Sequence, residues 1–104
     1  MKIEKIKGLI AAPFTPMDKS GELNLPVIDR YYRLLDSNGV VGAFINGSTG
    51  EGVSTTNEEK IRVAEAWAKA SAGGSIKIIN HLGGTCYKDC ITLARESSQM
   101  GLYA

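Results

Sequence analysis

Two adjacent hydroxyl residues, Ser48 and Thr49, lie within a glycine-rich stretch, residues 46–52, with the sequence Asn-Gly-Ser-Thr-Gly-Glu-Gly. Glycine has no Cβ, so a ligand can approach the backbone closely at such a loop. The two hydroxyls and their backbone N–H groups are donors that suit a small anion, either a carboxylate or a phosphate. Alternatively, the hydroxyls only hold the turn together, which is a common role of serine and threonine. The flanking glycines favour anion binding.

Four other residues could do chemistry, and each has a plainer interpretation. Glu51 would repel an anion, so we expect it to accept hydrogen bonds from loop N–H groups rather than act as a base. His81, the single histidine, could transfer protons, but it follows an alternating strand pattern and is expected to be an interior residue. Cys86 and Cys90 lie four apart on one predicted helix, where a disulfide fits poorly. With His81 they supply three of the four ligands of a structural zinc site, so we expect two half-buried free thiols and no metal.

Nucleotide-binding motifs do not fit this loop. It lacks the Gly-Lys-Ser/Thr of a P-loop, and its glycines do not follow the G-x-G-x-x-G order of a dinucleotide site. We expect no cofactor. None of the lysines follows a predicted strand at its carboxyl end, and Lys77 begins the third strand at the opposite end. Residue types and spacing alone therefore predict only that the chain binds a small anion.

Composition predicts one soluble globular unit over residues 1–104. The chain is 43% hydrophobic and has a formal net charge of +1, which leaves no field to attract nucleic acid or an anionic membrane. The amino terminus alternates charged and apolar residues, so neither a signal peptide nor a transmembrane helix fits. We expect a cytoplasmic protein, in a compartment where thiols stay reduced.

Hydrophobic spacing predicts alternating strands and helices. The predicted strands are residues 8–12, 40–45 and 76–82, with the start of a fourth at 102–104. The predicted helices carry apolar stripes formed by Ile28, Tyr31, Tyr32 and Leu35, then Ile61, Ala64, Trp67 and Ala68, then Ile91, Leu93 and Ala94. We expect Trp67 to pack against the sheet.

Helix ends are also readable from the sequence. Asn24 is the expected cap of the first helix, with Pro26 in its first turn and Asn38-Gly39 at its end. Thr56 to Glu59 has the spacing of a capping box. The second helix is expected to end near Gly73-Gly74 and the third at Gly101.

The order of elements predicts right-handed parallel βα units. Two architectures fit: an open doubly wound sheet, and a closed (β/α)8 barrel of about 250 residues. The interrupted fourth strand favours the first three units of a barrel. In both architectures ligands bind at the carboxyl ends of the strands, which places residues 12–15, 46–52 and 81–85 together.

Three segments, Gly8–Ala12 with Thr15-Pro16, Gly47–Glu51, and Ile79–Gly83, resemble the N-acetylneuraminate lyase and dihydrodipicolinate synthase superfamily of Schiff-base aldolases. The resemblance covers nearly the whole chain, and residues 46–54 look most like the lyase branch. It implies a (β/α)8 barrel, usually a homotetramer, that reversibly cleaves N-acetylneuraminate to pyruvate and N-acetylmannosamine. In the family a lysine on a later strand forms an imine with the 2-keto carbon, and a tyrosine relays the proton.

The same resemblance assigns roles to two residues of this chain. It implies that Thr49 holds the pyruvate carboxylate, and that Ser48 contacts the substrate and joins the proton-relay network. The imine lysine and its tyrosine would follow Ala104, so we expect the 104-residue chain alone to be inactive. Three alternatives stay open. The parent could be a dihydrodipicolinate synthase or another pyruvate-dependent aldolase, the chain could be a non-catalytic anion-binding or assembly module, or it could be a small doubly wound phosphate-binding domain.

Overall fold

Three strands lie side by side in chain order and run in the same direction, as the alternating pattern predicts. A computed structural model describes residues 3–104. Its elements are β1 (Ile10–Ala11), α1 (Pro26–Ser37), β2 (Gly42–Ile45), α2 (Asn57–Ser71), β3 (Lys77–Asn80) and α3 (Tyr87–Ser98), with a short 3-10 helix at Gly52–Ser54.

The chain beyond α3 returns to the sheet beside β3. The Tyr103 N–H donates to the Ile78 carbonyl at 3.1 Å, and the Asn80 N–H donates to the Ala104 carbonyl at 2.8 Å. These bonds confirm that residues 102–104 add to the sheet, next to β3. The sheet is thus built in the order of the sequence.

The hydrophobic core lies between one face of the sheet and the first two helices. Alternate residues of β2 and β3 face α1 and α2, because successive side chains of a strand point to opposite faces. The buried apolar residues of this cluster are Ile28, Tyr32, Ala43, Ile45, Val63, Ala64, Trp67, Ile76 and Ile78. Trp67 is 1% exposed and belongs to one buried cluster with the strand residues Ala43, Ile45 and Ile78, which confirms that it packs against the sheet.

Local signals determine the start of α2 and the end of α1, but not the start of α1. The capping box at the start of α2 is present: the Glu59 N–H donates to the Thr56 hydroxyl at 3.1 Å, and the Thr56 N–H donates to the Glu59 carboxylate at 3.0 Å. Gly39 has a positive φ of 73° after α1, as expected. The prediction for Asn24 was wrong: the cap residue is Leu25, without a side-chain bond. Pro26, at the first helical position, needs no donor there.

The predicted first strand is shorter and far more exposed than expected. β1 contains two residues, and Leu9 beside it is 74% exposed. β1 lies at the edge of the sheet, so within residues 3–104 only β2 pairs with it. β3 is likewise shorter than predicted, since its paired residues end at Asn80 and a single backbone bond, from His81 to Ile45, continues beyond them.

The buried face of α2 is rotated from the predicted stripe. Lys60 and Val63 are buried, whereas Ile61 is only half-buried. Lys60 can line a helix interface because its four-carbon stem is apolar. On α3, Leu93 is buried as expected, but Ala94 is exposed.

A small polar cluster lies at the amino end of β3. The Tyr103 hydroxyl donates to the Glu4 carboxylate at 2.9 Å, and the Lys77 ammonium lies 3.8 Å from the same carboxylate. The hydrogen bond to Glu4 is the main cause that raises the pKa of Tyr103 above its ordinary value. This cluster places Lys77 at the opposite end of the sheet from residues 46–52.

No helix within the described range 3–104 is long and apolar enough to cross a membrane.

Candidate functional site

The glycine loop, residues 46–52, leaves the carboxyl end of β2 and folds back on its own first residue. The Glu51 N–H donates to the Ser48 carbonyl at 3.1 Å, and the Gly52 N–H donates to the Gly47 carbonyl at 3.0 Å. Asn46 and Glu51 both adopt left-handed backbone conformations, with φ of 58°. Two backbone bonds and two unusual backbone angles therefore define the shape of the loop.

Ser48 and Thr49 are exposed at the tip of this loop. Their backbone N–H groups donate to no backbone acceptor within the described part of the chain. The turn is closed by backbone bonds, so the interpretation in which the hydroxyls only hold the turn together is not supported. Two hydroxyls and two N–H groups on neighbouring residues are left for a ligand.

The loop glycines serve packing more than ligand approach. Gly47, Gly50 and Gly52 are all buried, in contrast to the hydroxyl residues between them. A Cβ on Gly52 would lie 2.1 Å from the Asn46 carbonyl oxygen, far inside any possible contact. Glycine is required there because the loop presses against its own beginning.

Thr15, in the segment that follows β1, fastens the loop from the side. Its hydroxyl is buried and donates to the Gly50 carbonyl at 2.6 Å. The strand topology predicts that residues 12–15 lie near the loop, and this bond confirms it. The particular role of Thr15 was missed, because a hydrogen bond across 35 residues leaves no local pattern in the sequence.

A buried amide pair supports the loop from below. The Asn46 side-chain nitrogen donates to the Lys60 carbonyl at 3.1 Å and to the Asn80 side-chain oxygen at 2.9 Å. Asn80 in turn donates to the Ser97 hydroxyl at 3.2 Å. These bonds join α2, β2, β3 and α3 at the carboxyl end of the sheet, and sequence reasoning did not find them.

Two expectations about the neighbouring residues were wrong. The Glu51 side chain is exposed and accepts no loop N–H within residues 3–104, since the backbone carbonyls of Gly47 and Ser48 take those bonds. His81 is exposed rather than interior: it lies one residue past β3, on the sheet face away from the helices, with its ring 5.6 Å from that of Phe44. Its backbone N–H extends the ladder by donating to the Ile45 carbonyl at 3.0 Å.

The two cysteines are free thiols at the start of α3. Cys90 is half-buried as expected, but Cys86 is exposed because it is the residue before the first helical turn. Across residues 3–104, no group of three or more His, Cys, Asp or Glu side chains could hold a metal ion.

A cleft of about 600 Å³ lies behind the loop, between the first turns of α2 and α3. Its walls include Thr56, Lys60, Gly83 and Asp89. Ser48 and Thr49 do not line it, so the exposed donors of the loop face elsewhere.

Three successive βα units on a parallel sheet, with a donor-rich loop at the carboxyl end of a strand, have the architecture of the first units of a (β/α)8 barrel enzyme. Solved structures of this type superpose closely. The Proteus mirabilis N-acetylneuraminate lyase matches with a TM-score of 0.91 and 41% identity, over 95% of this chain and 33% of its own. The Aquifex aeolicus dihydrodipicolinate synthase matches with a TM-score of 0.85 and 29% identity, over 93% of this chain and 32% of its own.

Residues 5–104 match the dihydrodipicolinate synthetase family, and the chain belongs to that family. Among curated relatives, the Danio rerio N-acetylneuraminate lyase is 40% identical over 101 residues, which are 96% of this chain and 33% of the relative. The Rattus norvegicus N-acetylneuraminate lyase is 37% identical over 99 residues, 94% of this chain and 31% of the relative. The chain thus spans about a third of the length of these relatives.

Proposed function

We propose that this chain is the part of an N-acetylneuraminate lyase that binds the carboxylate of pyruvate. The observation that supports this most directly is the exposed Ser48-Thr49 pair, whose backbone N–H groups have no backbone acceptor within residues 3–104. The proposed reaction is the reversible cleavage of N-acetylneuraminate to pyruvate and N-acetylmannosamine. Two observations support it. Relatives of similar sequence bear the lyase name, and the sequence identity to a solved lyase structure, 41%, exceeds that to a solved synthase structure, 29%.

In this proposal the two hydroxyl residues have different roles. Thr49 holds one end of the 2-keto acid with its hydroxyl and its N–H, which together suit the two oxygens of a carboxylate. Ser48 contacts the substrate and relays a proton. Both roles require the loop to keep a fixed direction, because catalysis depends on where donors point as much as on their presence.

The carbon–carbon bond breaks through a lysine imine in the proposed mechanism. A protonated imine withdraws electrons, so the bond between its α- and β-carbons breaks and the bonding electrons form an enamine. The hydroxyl on the β-carbon gives its proton to the relay and becomes the carbonyl of the free aldehyde. Among the described lysines, Lys77 lies at the wrong end of the sheet and Lys60 is 9% exposed on the helix side. We therefore place the imine lysine and its tyrosine after Ala104, in the remainder of a (β/α)8 barrel, and propose that the 104-residue chain alone is inactive.

The complete enzyme is proposed to be a cytoplasmic homotetramer that needs no cofactor. A second candidate is dihydrodipicolinate synthase or another pyruvate-dependent aldolase, which would use the same carboxylate loop with a different aldehyde. Its support is the match to synthase structures at 29% identity and below. A candidate of another class is a non-catalytic anion-binding or assembly module, which would use the same free donors.

The test is made on the complete gene product that contains this chain. Pyruvate with borohydride should leave a stable adduct on a lysine outside residues 1–104, and cleavage of N-acetylneuraminate should exceed condensation of pyruvate with aspartate semialdehyde. Thr49→Val should raise KM by about 10-fold or more, the change expected for one charge-assisted hydrogen bond. Thr92→Val, on an exposed face of α3, is the matched control and should leave KM unchanged.

Each result separates the candidates. Absence of any adduct in the complete product would reject an aldolase and favour a binding module. An adduct formed by the 104-residue chain itself would show that the lysine has been misplaced.

A further inference from the structure

Asn46, at the start of the glycine loop, is buried and held by two side-chain hydrogen bonds. Its side chain is 2% exposed, and its backbone has a φ of 58°, a conformation that asparagine tolerates better than most residues. Its nitrogen must face the Lys60 carbonyl, because a carbonyl can only accept. The same nitrogen donates to the Asn80 oxygen, which fixes the plane of the amide.

The other end of that amide is unpartnered. The Asn46 side-chain oxygen is buried and accepts no hydrogen bond within the described residues. A buried acceptor without a partner destabilises a fold. The two bonds that the side-chain nitrogen donates, to the Lys60 carbonyl and the Asn80 oxygen, must offset this penalty.

The loop is built directly on the Asn46 backbone. A Cβ at Gly50 would lie 3.0 Å from the Asn46 backbone nitrogen, and one at Gly52 would lie 2.1 Å from the Asn46 backbone carbonyl oxygen. Any rotation of Asn46 would therefore displace the turn that carries Ser48 and Thr49. The amide bonds to Lys60 and Asn80 resist that rotation.

We propose that Asn46 is a positioning residue: its buried amide, bound to the Lys60 carbonyl and the Asn80 side chain, sets the direction in which Ser48 and Thr49 present their donors. This inference rests on the proposed function of the loop as a carboxylate site. Asn46 itself does not touch the substrate. It acts on binding through the geometry of the turn.

The test compares Asn46→Gly with Ser97→Ala in the complete gene product. Glycine keeps the left-handed backbone accessible and removes only the amide, so KM for N-acetylneuraminate should rise about 10-fold, as for one lost hydrogen bond. Ser97→Ala breaks only the far bond, between Asn80 and Ser97, and should leave KM unchanged. A purely structural role would lower the amount of borohydride-trapped adduct and the apparent kcat while leaving KM as in the wild type.

Asn80→Ala removes the acceptor of the Asn46 amide and should also raise KM. Combining it with Asn46→Gly should add less than about 2-fold further, because both substitutions break the same bond. Fully multiplicative effects of the two substitutions would overturn the proposal.

A second measurement does not depend on activity. Amide hydrogen exchange of Glu51 and Gly52, whose N–H groups close the turn, should accelerate about 10-fold or more in Asn46→Gly and stay unchanged in Ser97→Ala. Unchanged exchange in Asn46→Gly would overturn the positioning role. If the wild type forms no pyruvate adduct, the proposed function fails, and accelerated exchange would still establish that Asn46 sets the loop.

Discussion

Gly52→Ala tests the close packing of the glycine loop more sharply than any other single substitution. An alanine Cβ would lie 2.1 Å from the Asn46 carbonyl oxygen, whereas real Cβ atoms essentially never come closer than 3.0 Å to such a neighbour. The two backbone segments must therefore separate by about 0.9 Å. Neither is the end of a flexible side chain, so the displacement passes to the turn.

Two effects of known size follow. Overpacking of this kind destabilises a fold by about 1–3 kcal/mol. A misplacement near 1 Å at a site that orients a substrate costs about 100-fold in rate. We expect Gly52→Ala to lower the free energy of unfolding by about 1–3 kcal/mol. In the complete gene product, kcat/KM for N-acetylneuraminate, the proposed substrate, should fall by about two orders of magnitude.

Gly84→Ala is the matched control, at the same end of the sheet. Its Cβ would meet only the Cys90 sulfur, at 3.9 Å, which is an ordinary contact. Urea unfolding should place this variant within about 0.5 kcal/mol of the wild type, with unchanged turnover. Equal stability and equal activity for the two alanine variants would refute the argument that Gly52 is required by contact with Asn46.

Two further predictions concern the ends of the sheet. Thr56→Ala removes one half of the capping box and should lower the free energy of unfolding by about 1 kcal/mol, measured by urea titration. Thr92→Ala, whose hydroxyl bonds only to the Lys88 carbonyl within α3, should change it by less than about 0.5 kcal/mol, and an equal loss for both would contradict the cap. Because the hydrogen bond to Glu4 raises the pKa of Tyr103, that contact stabilises the fold below the ordinary tyrosine pKa and is lost as the pH rises through the raised value. Ultraviolet titration, with Tyr103→Phe subtracted, should show this pKa fall in Glu4→Gln, and no fall would contradict the assignment.

The succession of strands and helices could be predicted because local patterns produce it. Thr56 and Glu59 form their capping box within four residues. Helical periodicity alone identifies the stripe from Ile28 to Leu35 as the side of α1 that packs in the core. These signals act over short distances, so sequence reasoning recovers them. The location of Ser48 and Thr49 at a strand end follows in the same way.

The supporting contacts could not be predicted, because they join residues far apart in the chain. Thr15 reaches Gly50 across 35 residues, and Asn46 reaches Asn80 across 34. One signal was present: an asparagine before a glycine is suited to a left-handed backbone. It indicates the turn, but not the buried partner.

The expectation for His81 failed for a different reason. Alternation along a strand indicates which face of the sheet each residue lies on, but it does not indicate what covers that face. His81 shares a face with Phe44, away from the helices, and that face is not covered by α1 and α2. Whether a residue on that face is buried depends on elements outside the strand, which alternation within a single strand does not reveal.

The order of the sheet has a consequence for biosynthesis. Each strand pairs with the one immediately before it in the chain, and residues 102–104 bond to β3 in the same succession. When a new βα unit leaves the ribosome, the strand with which it pairs has therefore already been synthesised. Proteins of this design can assemble from the amino terminus during translation, with the glycine loop among the first parts to take shape.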